Sequence, residues 1–169
     1  MRLLPAADRA WVPWRNGGGV TSEVASGPDR DAEFGWRVSI ARIERDGPFS
    51  AFAGVDRTLM LLEGGPLTLT GAGWRHSLAA GATLAFDGAE PVSATIAGPS
   101  IDLNVMTRRG AWTHVLGKSG NVTLILATAP AHVTGIDLAR FDALLFDAGD
   151  QLPSHLADEA LTIGFTPDR

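Results

Sequence analysis

The chain contains no cysteine, so disulfides, thiolate nucleophiles and cysteine-based zinc sites are excluded. It also lacks any stretch near the roughly 20 apolar residues that a helical membrane span requires. Clustered positive charge is missing too. The one adjacent basic pair is Arg108-Arg109, and 14 Lys plus Arg against 19 Asp plus Glu leave a formal net charge of −5. Phosphate backbones are bound by clustered cations, so nucleic acid is not an expected partner. The opening stretch MRLLPAADRAWVPWRN has no apolar core of the kind a secretory signal carries, because Arg and Asp interrupt it early. A cytoplasmic location without membrane association is therefore expected. No G-x-S-x-G elbow occurs, and no Ser is accompanied by a suggestive nearby His.

What is present is an ordinary globular composition, 45% hydrophobic and 20% charged, over 169 residues, enough for one sizeable core. Twenty glycines and ten prolines punctuate short apolar runs, which is how a β-sandwich or barrel reads. Trp36 to Ala41 alternates, with Trp36, Val38 and Ile40 on one face and Arg37 and Ser39 on the other. Ile101 to Val105 also alternates and projects Asp102 and Asn104 together. Thr58 to Glu63 is nearly continuous apolar and predicts a strand covered on both faces. Leu67–Thr70, Thr83–Phe86, Val122–Ala127, Ala143–Phe146 and Leu161–Phe165 read as further strands. Helical signals are sparse, the best being a short turn over Ser154 to Glu159 with Ser154 as its cap.

Three ordered blocks carry a family resemblance. Trp14-Arg15-Asn16-Gly17-Gly18-Gly19-Val20-Thr21-Ser22-Glu23 is similar to the W-x-N-G-G-G-x-T-x-E opening of the HutD/Ves family. Phe34-Gly35-Trp36-Arg37-Val38-Ser39, followed by Gly47-Pro48-Phe49-Ser50-Ala51-Phe52 and Gly54-Val55-Asp56-Arg57, resembles its F-x-W-R-x-S and G-P-F-S-x-F-x-G-x-D-R blocks. Asp102 to Gly110 resembles its D-x-N-x-M-x-R-R-G. The resemblance implies an all-β, cupin-like jelly-roll barrel in a bacterial protein. A single domain over residues 1–169 is expected. The alternative is a bicupin-like, two-lobed organisation of two apposed β-layers with a boundary near 110–120. The family is linked with histidine-utilisation genes, which implies a role in moderating that pathway by binding one of its small metabolites.

Cupins usually hold a metal with paired histidines, a glutamate and a third histidine. Here His76, His114, His132 and His155 stand far apart, and Ala53-Gly54-Val55-Asp56-Arg57 occupies the place where the pair would fall. No metal and no other cofactor are expected. Gly17-Gly18-Gly19 lacks the following helix, further glycines or lysine of a phosphate loop. It reads instead as a turn needing positive φ or close chain approach. Such a turn would fix Asn16 on one side and Thr21 with Glu23 on the other.

The candidate ligand-binding set is Asn16, Thr21, Glu23, Arg37, Ser39, Arg57, Asp102 and Asn104. Arg37 or Arg57 would anchor a carboxylate through a planar guanidinium. Glu23 and Asp102 would accept from an imidazole or amide N–H, and Asn16 and Asn104 would fix orientation. Trp14 is the tryptophan expected nearest a ligand. On pattern alone these polar strand faces either line a pocket or face solvent. The leading reading is a metal-independent binder of a small carboxylate or imidazole metabolite: histidine, urocanate or, if both arginines point inward, a formylated glutamate. One rival is a metal-free isomerase or lyase with Glu23 or Asp102 as general base. Another is a protein-interaction module. A homodimer is the expected assembly, since edge strands need cover.

Overall fold

The computed structural model describes residues 1–29, 32–156 and 158–168. Contacts divide the chain into two compact units, Ala10–Arg109 and the pair of segments Met1–Arg9 and Gly110–Arg169. Strand β1 (Arg2–Leu4) opens the chain. The strands of the first unit are β2 (Val12–Pro13), β3 (Gly19–Gly27), β4 (Trp36–Ile43), β5 (Gly47–Pro48), β6 (Val55–Glu63), β7 (Leu67–Gly71), β8 (Trp74–Leu78), β9 (Thr83–Asp87), β10 (Ser93–Ile96) and β11 (Ser100–Arg108). The remainder carries β12 (Trp112–Leu116), β13 (Val122–Ala127), β14 (Ala131–Val133), β15 (Ile136–Leu138), β16 (Ala143–Phe146) and β17 (Ala160–Pro167).

The all-β, cupin-like jelly roll expected from the sequence is what the chain forms, although its sheets do not close into a barrel. In the unit of residues 10–109 a six-stranded sheet, β2-β3-β4-β11-β6-β9, accompanies a four-stranded one, β5-β10-β7-β8. Ile43, Leu59 and Leu61 of the first sheet pack with Leu67, Leu69, Leu78 and Ala94 of the second. Each fully buried leucine contributes roughly 1.5–3 kcal/mol by leaving water. The other unit has a five-stranded sheet, β1-β16-β13-β17-β12, and a β14-β15 hairpin. Val133 and Leu138 of that hairpin pack on Ile125, Leu144 and Phe146 of the sheet.

Two local expectations change. Strand β6 buries Val55, Arg57, Leu59 and Leu61 on one face and leaves the other face half-covered, so it is not enclosed on both sides. Over Ser154 to Glu159 the described residues form bends and turns rather than helix, and Ala157 lies outside the described residues. Strands β4 and β11 have both faces largely buried. Trp36, Val38 and Ile40 share one face of β4, which turns Arg37 and Ser39 to the opposite one.

Candidate functional site

The polar face of the six-stranded sheet is organised by cross-strand register. Ser39 lies opposite both Glu23 and Asn104, and Ala41 lies opposite Thr21 and Asp102. Met106 sits between Arg37 on β4 and Arg57 on β6. A β-bulge between Glu23 and Ala25 inserts Val24, so that Ser26 rather than Ala25 faces Arg37. These rows line a cavity of about 570 Å³ together with the β2–β3 loop and the Pro48–Phe52 segment. That size falls within the range of small-molecule sites. All eight residues singled out in the sequence line it.

The loop that forms one wall explains the glycine run. Gly17 has φ +66, and a Cβ on Gly19 would lie 2.2 Å from the Arg42 carbonyl oxygen. Both reasons expected for the run therefore operate, positive φ at one glycine and close approach at another. Asn16 accepts from Gly18 N–H at 2.9 Å and donates to the Pro48 carbonyl at 3.2 Å. Its amide thus ties the loop to the opposite wall instead of standing free to orient a ligand. Trp14 Nε1 donates to Thr21 Oγ1 at 2.7 Å, and its ring meets Phe49 edge-on, 5.9 Å between centroids.

At the more open side Arg37 Nε donates to Glu23 Oε2 at 2.7 Å, and Ser26 Oγ donates to Glu23 Oε1 at 2.8 Å. The inner side is drier. Arg57, Asn104 and Ser39 keep only 6%, 4% and 3% of their surface exposed, and Asp102 none. Arg57 Nε donates to Asn104 Oδ1 at 2.8 Å, and Nη2 donates to the same oxygen. Asn104 Nδ2 in turn donates to Asp102 Oδ1 at 2.5 Å. The asparagine amide therefore bridges a cation and an acid, and its orientation is fixed: the flipped amide would set donor against donor and acceptor against acceptor.

Two polar atoms of this relay remain open. Asp102 Oδ2 has no hydrogen-bond partner among the described residues. Arg57 Nη1 likewise has none there. Burial pushes the Asp102 carboxyl up to about 7, against the opposing pull of Arg57 and the Asn104 hydrogen bond. Burial also lowers Arg57 to about 10, opposed by Asp102 and assisted by Arg37, so it stays cationic at neutral pH. The guanidinium carbon lies over two aromatic rings, 4.8 Å from the Phe49 centroid and 5.1 Å from that of Phe86.

The sequence reading passed over the apolar wall of Phe49, Phe52 and Met106, and also Arg15, all of which line the cavity. The signal was present in the Gly47–Phe52 block, but aromatic residues there read equally as core. Among the described residues no group of three or more His, Asp or Glu converges. His76 packs against Trp74, and His132 pairs with Asp137 at 2.7 Å.

A family model described as HutD matches residues 6–163. The chain belongs to the HutD family. A 21.2 kDa Pseudomonas putida relative, described as lying in the hutC 3′ region, is 34% identical over 171 residues, 90% of each chain. The protein Ves of Citrobacter koseri is 44% identical over 99 residues, 57% of this chain and 52% of that one. The match thus spans about half the length of the Ves relatives. Among solved structures, HutD from Pseudomonas fluorescens SBW25 superposes with a TM-score of 0.86 at 28% identity, covering 99% of both chains. No helix among the described residues is long and apolar enough to cross a membrane.

Proposed function

We propose that this HutD protein binds a small carboxylate of histidine catabolism and so buffers or regulates that pathway, without a metal. The observation that carries this reading is the Arg57 guanidinium: buried, set over two aromatic rings, still cationic, and with Nη1 open beside a cavity of about 570 Å³. A fixed fork of this kind suits a carboxylate, and its dry surroundings strengthen the charge-assisted hydrogen bond. Arg37 lines the same cavity, so both arginines face inward. That favours a dicarboxylate such as N-formylglutamate over urocanate or histidine, with the second carboxylate competing against Glu23 for Arg37. The pathway assignment draws on the hutC-region description of the Pseudomonas putida relative and on the HutD match. Such a protein would work in the cytoplasm, where those metabolites are processed.

Calorimetric titration with N-formylglutamate, urocanate and histidine tests the reading. A ligand at 100 times its dissociation constant should also stabilise the fold by about 2.7 kcal/mol. Arg57→Ala should weaken binding by about 2–5 kcal/mol, as expected for truncating one side of a buried charged contact. A folded Arg57→Ala protein with unchanged affinity would refute the anchoring role.

A metal-free enzyme is the second reading, because burial pushes the Asp102 carboxyl up to about 7 beside a cavity, as suits a general base. Geometry tells against it. Asp102 has no exposed surface for a substrate to contact directly, so only solvent-borne protons reach it, and Glu23 is committed to Arg37 and Ser26. Turnover of any of the three metabolites, followed by NMR and lost in Asp102→Asn, would reverse this preference.

A further inference from the structure

Asp102 is a carboxyl group with one oxygen served and one left over. Asn104 Nδ2 donates to Oδ1, while Oδ2 is buried without a hydrogen-bond partner among the described residues. The side chain has no exposed surface, so water does not solvate its charge. The nearest compensation is electrostatic and comes from Arg57, joined to Asp102 through the Asn104 amide. The other charged groups lining the cavity are Arg37 on β4, Glu23 on β3 and Arg15 in the β2–β3 loop. Arg37 and Glu23 already neutralise each other at 2.7 Å. Ionised Asp102 therefore depends on Arg57.

A ligand carboxylate seated on Arg57 takes that compensation away. Two anions would then share one guanidinium in a low-dielectric site, where like charges close together cannot both stay ionised. The ligand, carrying the better contact to the guanidinium, keeps its charge. Asp102 yields its own by accepting a proton from solvent on Oδ2, the oxygen that no donor serves.

We propose that the cavity takes up a carboxylate together with one proton, the carboxylate seating on Arg57 and the proton on Asp102 Oδ2. This rests on the carboxylate reading of the site given above. It adds that affinity is set by pH through a residue the ligand does not touch, which makes Asp102 a positioning residue for charge rather than a contact. Ligand capture would weaken as the surroundings turn alkaline. The ionised form of Asp102 is already half populated near pH 7 in the empty site, so the response falls in the range a cell experiences.

The test is calorimetry of the full chain near pH ~8, with N-formylglutamate and acetate as probes, in phosphate and in Tris. Those buffers differ in heat of ionisation, so the difference in observed heat counts the protons taken up. The expected count approaches one for the wild type and zero for Asp102→Asn, which keeps the Asn104 contact and cannot ionise. Wild-type affinity should fall towards tenfold for each pH unit above about 7, whereas the variant's should stay nearly level. Binding of either probe with no buffer dependence overturns the proposal and leaves the carboxylate reading intact. An equal proton count in Asp102→Asn also overturns it, since the proton would then reside elsewhere. Absence of binding by every probe overturns the carboxylate reading and this inference with it. The wild-type buffer comparison stands even if the variant does not fold.

Discussion

Replacing Asp102 by Asn should make the ligand-free protein more stable in mild alkali, an unusual outcome for a polar residue with no exposed surface. The carboxyl titrates at about 7 in the folded chain, raised by burial, against about 3.9 when unfolded. A folded-state value above the unfolded one means the fold binds the proton more tightly. Its contribution is thus fully present below about pH 4, shrinks as pH rises, and is gone above about pH 7. The total loss is about 4 kcal/mol, and about 3 kcal/mol of it falls between pH 5 and 8.5. Asparagine retains the shape and an oxygen to accept from Asn104 Nδ2, but carries no charge, so it escapes this loss. Urea denaturation of both proteins at the two pH values isolates the effect, because every other titrating group cancels in the double difference. The variant should gain about 3 kcal/mol on the wild type between pH 5 and 8.5, a relative rise in melting temperature of roughly 6–12 °C. A double difference near zero would refute the claim that the Asp102 charge is buried against an unfavourable balance. One of the opposite sign would show that Arg57 holds Asp102 ionised more strongly than burial opposes it.

Other expectations follow from packing and from the loop. Leu59→Ala removes a side chain with no exposed surface from between the two sheets of the 10–109 unit and should cost about 2–5 kcal/mol in urea denaturation. Gly19→Ala would drive its Cβ against the Arg42 carbonyl oxygen, forcing β3 away from β4. It should lose about 1–3 kcal/mol and weaken ligand binding as well, because the displaced loop carries Trp14 and Asn16. Gly73→Ala is the control: φ is +88 but nothing lies within 4 Å, so it should cost about 1–2 kcal/mol and leave affinity unchanged.

Side-chain alternation made much of the site legible. Arg37 and Ser39 are two apart, as are Asp102 and Asn104, and each pair shares a face because a strand repeats every two residues. Alternation could not say which face borders space. On β4 the opposite face, with Trp36, Val38 and Ile40, is just as buried, so polarity alone left the choice open. Arg57 escaped the periodic argument altogether. It occupies an inward position in line with Leu59 and Leu61, where an apolar residue would be expected, and only the Asp-Arg block of the family resemblance marked it. The bulge at Val24 was invisible for a sharper reason. Strict alternation from Thr21 puts Ala25 on the cavity face, but one extra residue brings Ser26 there instead, and it is Ser26 that hydrogen-bonds Glu23. The short strands β8, β10, β12, β14 and β15 also passed unnoticed. Each holds only three to five residues that mix polar with apolar side chains, too few to carry a readable period.

The pairing of β1 with β16 sets a clock on synthesis. Arg2 is register partner to Leu145, and Leu4 to Ala143. On a ribosome adding about 5–20 residues each second, the first strand waits roughly 7–30 s before its neighbour has even been made. Throughout that interval the stretch from Ala10 to Arg109 emerges with its own sheet partners close behind, while Arg2-Leu3-Leu4 remains an unclaimed edge. Arg2 is the one charge that strand carries to keep other nascent chains from claiming it first.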